Sequence, residues 1–110
     1  MIFELRRYNM TSLPMLEQFD RHMGRVVSVF RELGIETHGA WNYAVGENMP
    51  SHTYMLKWKD LAEREAKWKT FYENPHWPEL RARMLKEAGG EAVHNHSVAF
   101  LRPASYWRPL

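Results

Sequence analysis

Three side chains near the start of the chain could do chemistry together. Glu4, Arg6 and Tyr8 occupy every second position, which predicts a strand with a carboxylate, a guanidinium and a phenol on one face. Such a set could bind a polar or anionic ligand while Tyr8 or Glu4 moves a proton. The same residues could instead form a buried ion pair, Glu4 with Arg6 or with a partner chain, that completes the sheet and a dimer. The residue types leave both interpretations open.

Further polar and aromatic side chains could join that face from the neighbouring strands. A histidine and a tyrosine beside aromatic walls would suit proton abstraction from an acidic carbon. We therefore take Tyr8 and His96 as the candidate catalytic residues, with a passive pocket or one filled by a partner's side chains as the alternative. The candidate ligand-binding residues are Glu4, Arg6, His38, Asn42, Tyr54, Trp58 and Arg102.

Two histidines at alternate positions raise the question of a metal site. His94 and His96 would share one face of a strand, but two ligands are too few for a zinc site. The chain has no cysteine, and the other histidines lie on separate predicted elements. We therefore predict no metal ion, no haem and no other cofactor.

Composition and charge narrow the class of protein. The 110 residues suit a single domain, and 14% are aromatic, so some aromatic side chains should line a cavity or a subunit contact. The net charge is +2 with acidic and basic residues interspersed, which predicts no nucleic-acid binding. No stretch approaches the roughly 18 apolar residues of a membrane-spanning helix, so we expect a cytoplasmic protein without membrane insertion.

The elements that must position these residues follow from hydrophobic periodicity and turn signals. The predicted strands are residues 2–8, 35–45, 52–59 and 92–102. The predicted helices run from about 13 to 33, from 61 to about 74 and from 77 to 88, the last two being one helix in two pieces. The order βαββαβ predicts an α+β, ferredoxin-like fold with an antiparallel four-stranded sheet.

The junction between the third strand and its helix carries the clearest local signal. Asp60 can accept a hydrogen bond from a backbone N–H of the first helical turn, and Glu63 can reach back to the amide of Asp60. This capping box predicts a helix that begins directly after Asp60. The side of that helix expected to be apolar carries Leu61, Trp68, Phe71 and Tyr72.

Several motifs resemble the NIPSNAP family, and together they cover essentially the whole chain. The most specific is Asp60-Leu61-Ala62-Glu63-Arg64 at the helix start. The others are Glu4-Leu5-Arg6-x-Tyr8, Gly39-x-Trp41, Asn74-Pro75-x-Trp77 and Leu101-x-Pro103. Two stretches depart from the family pattern. Tyr54 and Leu56 stand where it often has a histidine and an aromatic residue, and Trp107-Arg108-Pro109 stands where it often has aromatic-Ser-Pro.

The resemblance implies a dimeric α/β barrel, in which two ferredoxin-like sheets face each other with helices outside. It also implies kinship with cofactor-free monooxygenases, isomerases and haem enzymes that work in the cleft between sheet and helices. The family supplies no catalytic motif to carry over. We therefore consider two functions. The first is a cofactor-free oxygenase or isomerase acting on a small aromatic or enolisable compound. The second is a non-enzymatic dimeric module that binds a small ligand or a protein.

The strand faces also predict a homodimer. With the helices on one side of the sheet, we expect the other side to be open, and we place Glu4, Arg6 and Tyr8 there beside an apolar patch too large for a monomer to expose. A two-fold copy would cover this patch, and the tail, residues 103–110, should pack on the neighbouring subunit. The other members of the patch are Tyr54, Leu56, Trp58, Val98 and Phe100.

Overall fold

Four strands and three helices follow one another in the order β–α–β–β–α–α–β. The computed structural model describes residues 1–43, 45–47 and 49–108. Its strands are β1 (Ile2–Met10), β2 (Glu36–Asn42), β3 (Ser51–Trp58) and β4 (Val93–Leu101), and its helices are α1 (Leu13–Glu32), α2 (Leu61–Glu73) and α3 (His76–Ala88). Within these described ranges, none of the helices has the length and apolar character needed to cross a bilayer.

The strands form one antiparallel sheet in the order β2-β3-β1-β4. This is the ferredoxin-like topology, so the fold prediction is confirmed. The register places Glu4 between Leu56 and Phe100, and Tyr8 between His52 and His96. Because directly opposed residues of an antiparallel pair share a face, β1 aligns its polar side chains with those of both neighbours.

A few predicted features fall outside the described residues. Ala44 belonged to the predicted second strand, Asn48 to the turn after it, and Pro109 and Leu110 to the tail. Within the described part, β2 ends at Asn42, before its predicted end at residue 45.

The helices pack on the face of the sheet that carries Glu4, Arg6 and Tyr8. The Tyr8 ring lies 5.0 Å from the ring of Phe19 on α1, and α2 contributes Trp68 to the environment of Glu4. Our prediction that this face is the open one is therefore wrong. Period-two alternation shows which residues share a face, but it does not show which face the helices will cover.

The residues of the predicted apolar patch differ in burial according to the strand on which they lie. On the central strand β3, Tyr54, Leu56 and Trp58 are at most 2% exposed because α1 and α2 cover them. On the edge strand β4, Val98 and Phe100 remain 40% and 51% exposed. The helices thus shield the middle of the sheet and leave the edge strand partly open.

A bulge in β2 explains the position of His38. Thr37 pairs with Leu56 and Gly39 pairs with Met55, so His38 is an extra residue in the ladder. Gly39 has a φ of +148°, and a Cβ there would lie 2.3 Å from the Trp41 ring, so the bulge requires glycine. The bulge interrupts the alternation, and the His38 ring packs on Phe3, 5.1 Å away, on the face without helices.

Arg102 also lies on that other face. The strand β4 ends at Leu101, so the alternation of faces no longer applies at Arg102. Arg102 therefore does not lie beside Glu4. Arg102 and His38 instead border a hollow of about 220 Å³ that includes Phe3 and Trp107. The prediction that His38 and Arg102 share the face of Glu4 is wrong.

The cap at the start of α2 is present and gives a testable stability change. The Glu63 amide donates to Asp60 Oδ1 at 2.8 Å, while the Glu63 carboxylate accepts from the Lys59 amide at 3.4 Å rather than from that of Asp60. We expect Asp60→Ala to lower the free energy of unfolding by about 1 kcal/mol, because an amide of the first turn loses its acceptor. Asp60→Asn keeps an acceptor oxygen and should be nearly neutral in urea unfolding. Equal losses would show that Asp60 acts through its charge.

Candidate functional site

A cavity of about 400 Å³ opens between the sheet and the three helices. This volume lies in the range of small-molecule pockets. The sheet contributes Arg6, Tyr8 and Tyr54 to its lining, together with the β4 residues Val93, His94, Asn95 and His96. The helices contribute mainly aromatic and apolar side chains, among them Phe19, Val26, Phe30, Trp68, Phe71 and Trp77.

Glu4 lies fully buried behind the cavity wall, in a cluster of donors. Its carboxylate accepts from Arg6 Nη1 at 2.6 Å, Arg64 Nε at 2.7 Å, Trp58 Nε1 at 3.0 Å and Trp68 Nε1 at 3.2 Å. Burial alone would raise the pKa of Glu4, but the hydrogen bonds from the two arginines and the two tryptophans outweigh it and lower that pKa. Glu4 is therefore an ionised anchor for these donors and unsuited to proton transfer.

Of the two interpretations of Glu4, the structure supports the ion pair with Arg6 inside one chain. The second partner, Arg64 on α2, was not expected from the sequence. It reaches Glu4 because the Asp60 cap starts α2 directly beyond β3, which brings the first turn of the helix over β1. The motif around Asp60 did contain Arg64, but its spacing alone did not indicate a partner on β1.

Arg6 couples this anchor to the phenol of Tyr8. Arg6 Nε donates to the Tyr8 hydroxyl at 2.9 Å. Because the guanidinium occupies an acceptor site of that oxygen, the hydroxyl keeps its own proton to donate to another acceptor. The Tyr8 ring also stacks on Tyr54, at 5.9 Å, and on His96, at 5.5 Å, which holds it in place. A positioned donor of this kind can stabilise an oxyanion.

His22 is the functional candidate that the sequence reasoning missed. The residue is 3% exposed and lines the cavity, and its Nδ1 is buried with no hydrogen-bond partner among the described residues. Burial, assisted by the charges of Arg25 and Arg81, lowers the pKa of His22 to about 4. The imidazole is thus neutral at pH 7, and one of its two ring nitrogens carries a lone pair that can accept a proton.

The sequence did contain a signal for His22. It lies three residues after Phe19 and four before Val26, within the apolar stripe of α1. A histidine in such a stripe is buried with the rest of it, so it faces whatever the helix covers.

Asn42 has a different environment from the cavity residues. Its Nδ2 donates to Asp20 Oδ1 at 3.0 Å, and its Oδ1 lies 2.7 Å from His52 Nδ1. Burial lowers the pKa of His52, so Asn42 Oδ1 accepts a hydrogen bond from a neutral ring. The two hydrogen bonds of Asn42, to Asp20 and to His52, tie α1 to β2 and β3 beside the cavity.

The predicted site residues therefore separate into groups. Arg6, Tyr8, Tyr54 and His96 meet at the cavity, whereas Glu4 and Trp58 are buried behind it. His38 and Arg102 lie on the other face of the sheet. In the part of the chain that the structure describes, no three His, Asp or Glu side chains converge in a way that could hold a metal ion.

The buried His22 predicts a pH-dependent stability. In the unfolded chain His22 takes up a proton near its ordinary value of 6.5, whereas in the folded chain it does so only near pH 4. The unfolded state binds more protons between these values, so stability falls as the pH drops from 7 to 4.5, by about 2 kcal/mol. We expect His22→Gln to flatten the pH dependence of urea unfolding, with a remainder due to His52 and, toward pH 4.5, to Glu4. His76→Gln changes an exposed ring and should leave the slope unaltered; an equal change would contradict the assignment.

Comparisons with known proteins place this geometry in a family context. The sequence matches the NIPSNAP family over residues 3–108. An uncharacterised NIPSNAP domain protein from Burkholderia xenovorans has a similar structure, with a TM-score of 0.81, 18% identity, and coverage of 98% of this chain and 99% of that one. A NIPSNAP family protein from Agrobacterium tumefaciens gives a TM-score of 0.79 at 15% identity, with coverage of 96% and 94%.

The same fold occurs in more distant proteins. A protein from Deinococcus radiodurans assigned to the antibiotic biosynthesis monooxygenases gives a TM-score of 0.63 at 10% identity, with 100% of this chain and 99% of that chain covered. At this identity the likeness concerns the fold alone. Among curated proteins, none matches this sequence.

Proposed function

This chain belongs to the NIPSNAP family, and from that premise we propose that it binds a small aromatic or enolisable compound in its cavity and removes a proton from an acidic carbon of that compound. One observation carries the proposal: the phenol of Tyr8, held by Arg6, and the neutral imidazole of His22 line the same aromatic cavity. The first is a donor for a forming oxyanion and the second is an acceptor for a proton.

The step is an enolisation. The proton of a carbon next to a carbonyl passes to the imidazole of His22, and the electron pair of that C–H bond moves toward the carbonyl oxygen. The hydroxyl of Tyr8 donates a hydrogen bond to this oxygen as its negative charge grows. Since a pKa of about 4 makes His22 a weak base, the carbon must be unusually acidic, as it is between a carbonyl and an aromatic ring.

Two outcomes can follow the enolate. Returning the proton to another atom gives an isomerase. Reaction of the carbanion with dioxygen gives a cofactor-free oxygenase, which the fold shared with a protein assigned to the antibiotic biosynthesis monooxygenases supports. His96 is exposed and stacks on Tyr8, so we assign it the exchange of protons between the cavity and solvent.

The test uses 2-tetralone, an aromatic ketone with acidic hydrogens, in deuterated buffer. We expect its α-proton signal in the NMR spectrum to disappear faster with the protein than in buffer alone. An oxygen electrode run in parallel separates the oxygenase, which consumes dioxygen, from the isomerase, which does not. Calorimetric binding of 2-tetralone without faster exchange would exclude the enzyme and leave the alternative, a ligand-binding module.

We further propose that the chain forms a homodimer through the sheet face that the helices leave uncovered. Support comes from the apolar side chains on that face, where Leu101 is 39% exposed and the opposed pair Leu5 and Met55 is partly exposed. Trp41 adds an aromatic ring that is 54% exposed. A second copy would remove this surface from water.

Sedimentation velocity at micromolar concentration tests the dimer. We expect a two-chain species, and we expect removal of residues 105–110 to weaken it, since the tail includes Trp107, which lines the hollow on this face. A folded monomer at that concentration would overturn the proposal. The circular dichroism spectrum of the shortened chain checks that the sheet is intact.

A further inference from the structure

A second hollow, of about 310 Å³, adjoins the cavity and shares Arg6, Trp68 and Tyr72 with it. Its remaining lining consists of Arg64, Glu65 and Lys69, all on α2. We propose that this hollow binds a carboxylate, so that the ligand of the cavity is an aromatic or enolisable acid with its anionic group at Arg6. This inference rests on the proposed function, because it specifies the ligand class of the same site.

Arg6 is the link between the two spaces. Its Nε donates to Tyr8 and its Nη1 donates to Glu4, which leaves Nη2 for a ligand. The guanidinium lies 5.0 Å from the centre of the Trp68 ring, so its plane is held before any ligand arrives. A fixed guanidinium loses little conformational entropy when it binds a carboxylate.

The charges around the hollow favour one negative charge. Three cations, Arg6, Arg64 and Lys69, face one carboxylate of the lining, Glu65. The buried Glu4 behind them offsets a second cation, which leaves one positive charge without a close partner. Lys69 reaches Glu73 only at 4.0 Å, and both side chains are mostly exposed, so that contact is weak.

The shape of the shared wall orients the ligand. The rings of Trp68 and Tyr72 stack at 5.5 Å with their planes 21° apart, and both residues line the cavity as well as the hollow. A flat body in the cavity can therefore lie near these rings while its acid group reaches Arg6. A monoanion matches the single excess charge better than a phosphate dianion would.

The experiment compares two probes of equal shape, 2-naphthoate and the neutral 2-naphthamide, by isothermal titration calorimetry at low salt. We expect the wild-type chain to bind 2-naphthoate about tenfold more tightly than 2-naphthamide. Lys69→Gln should weaken the binding of 2-naphthoate about threefold without affecting the binding of 2-naphthamide. Glu65→Gln should strengthen the binding of 2-naphthoate, because it removes the carboxylate that holds Arg64 Nη1 at 2.7 Å.

The matched control is Lys59→Gln, which removes a lysine charge just before α2 but outside the lining of the hollow. It should leave both affinities unchanged. Equal affinity for the two probes, or equal effects of Lys59→Gln and Lys69→Gln, would overturn the carboxylate site while the cavity stands. Absence of binding by both probes would overturn the carboxylate site and count against the proposed function as well.

Discussion

Replacing Glu4 by glutamine lowers the free energy of unfolding by about 3–5 kcal/mol, by our expectation. Glu4 is fully buried and accepts hydrogen bonds from two arginines and two tryptophans. Glutamine keeps the shape, but it replaces one acceptor oxygen by a donor, leaves the charge of Arg6 uncompensated and leaves Arg64 with only the exposed Glu65 as a partner. Removing one member of a buried charge cluster costs more than the whole cluster contributes, because the other charges stay buried.

Urea unfolding at pH 7 measures this loss, with Glu65→Gln as the matched control. Glu65 also pairs with Arg64 at 2.7 Å, but it is 73% exposed, so its loss should cost less than about 0.5 kcal/mol. The pKa of Glu4 is lowered on folding, so its stabilisation is present above the ordinary value of 4.5 and lost as the pH falls through the folded value. The difference between wild type and Glu4→Gln should therefore shrink in acid. Similar losses of unfolding free energy for Glu4→Gln and Glu65→Gln would contradict the role of Glu4 as the buried centre of this cluster.

The largest effect on activity is expected from Tyr8→Phe. If the phenol stabilises the enolate oxygen, removal of its hydroxyl should slow deuterium exchange into 2-tetralone about 10²- to 10³-fold. The phenylalanine ring preserves the stacking on Tyr54 and His96, so calorimetric binding of 2-naphthamide should change less than about threefold. Such a split between rate and binding distinguishes an oxyanion donor from a wall of the cavity.

Two further variants complete that test. Tyr106→Phe removes a hydroxyl from an exposed tail residue outside the linings of the cavity and the hollow, and it should leave the exchange rate within about threefold of wild type. His22→Gln should slow exchange like Tyr8→Phe if the imidazole accepts the proton. Equal exchange rates for Tyr8→Phe and wild type would remove Tyr8 from the mechanism.

The local elements of this protein could be predicted from its sequence because each depends on neighbouring residues. Alternation on β1 and β3, the three- and four-residue spacing on α1, and the Asp60 cap of α2 all act within a few residues. The order of these elements then leaves few ways to build a sheet, and the ferredoxin-like one is observed. The meeting of Arg6, Tyr8, Tyr54 and His96 follows from their shared face and the strand register.

The sequence by itself thus determined the elements, their order and which side chains share a strand face, whereas the tertiary structure decided which face the helices cover. Both faces of β1 carry residues that can be buried, and the choice between them depends on partners far along the chain. Arg64 neutralises the charge of Glu4, and Trp68 donates a hydrogen bond to it. With these partners, the face that carries Glu4 is the better one to bury. That choice also places His22 of α1 at the cavity. The bulge at His38 needed the three-dimensional ladder too, because an extra residue leaves no mark in the alternation until its strand is paired.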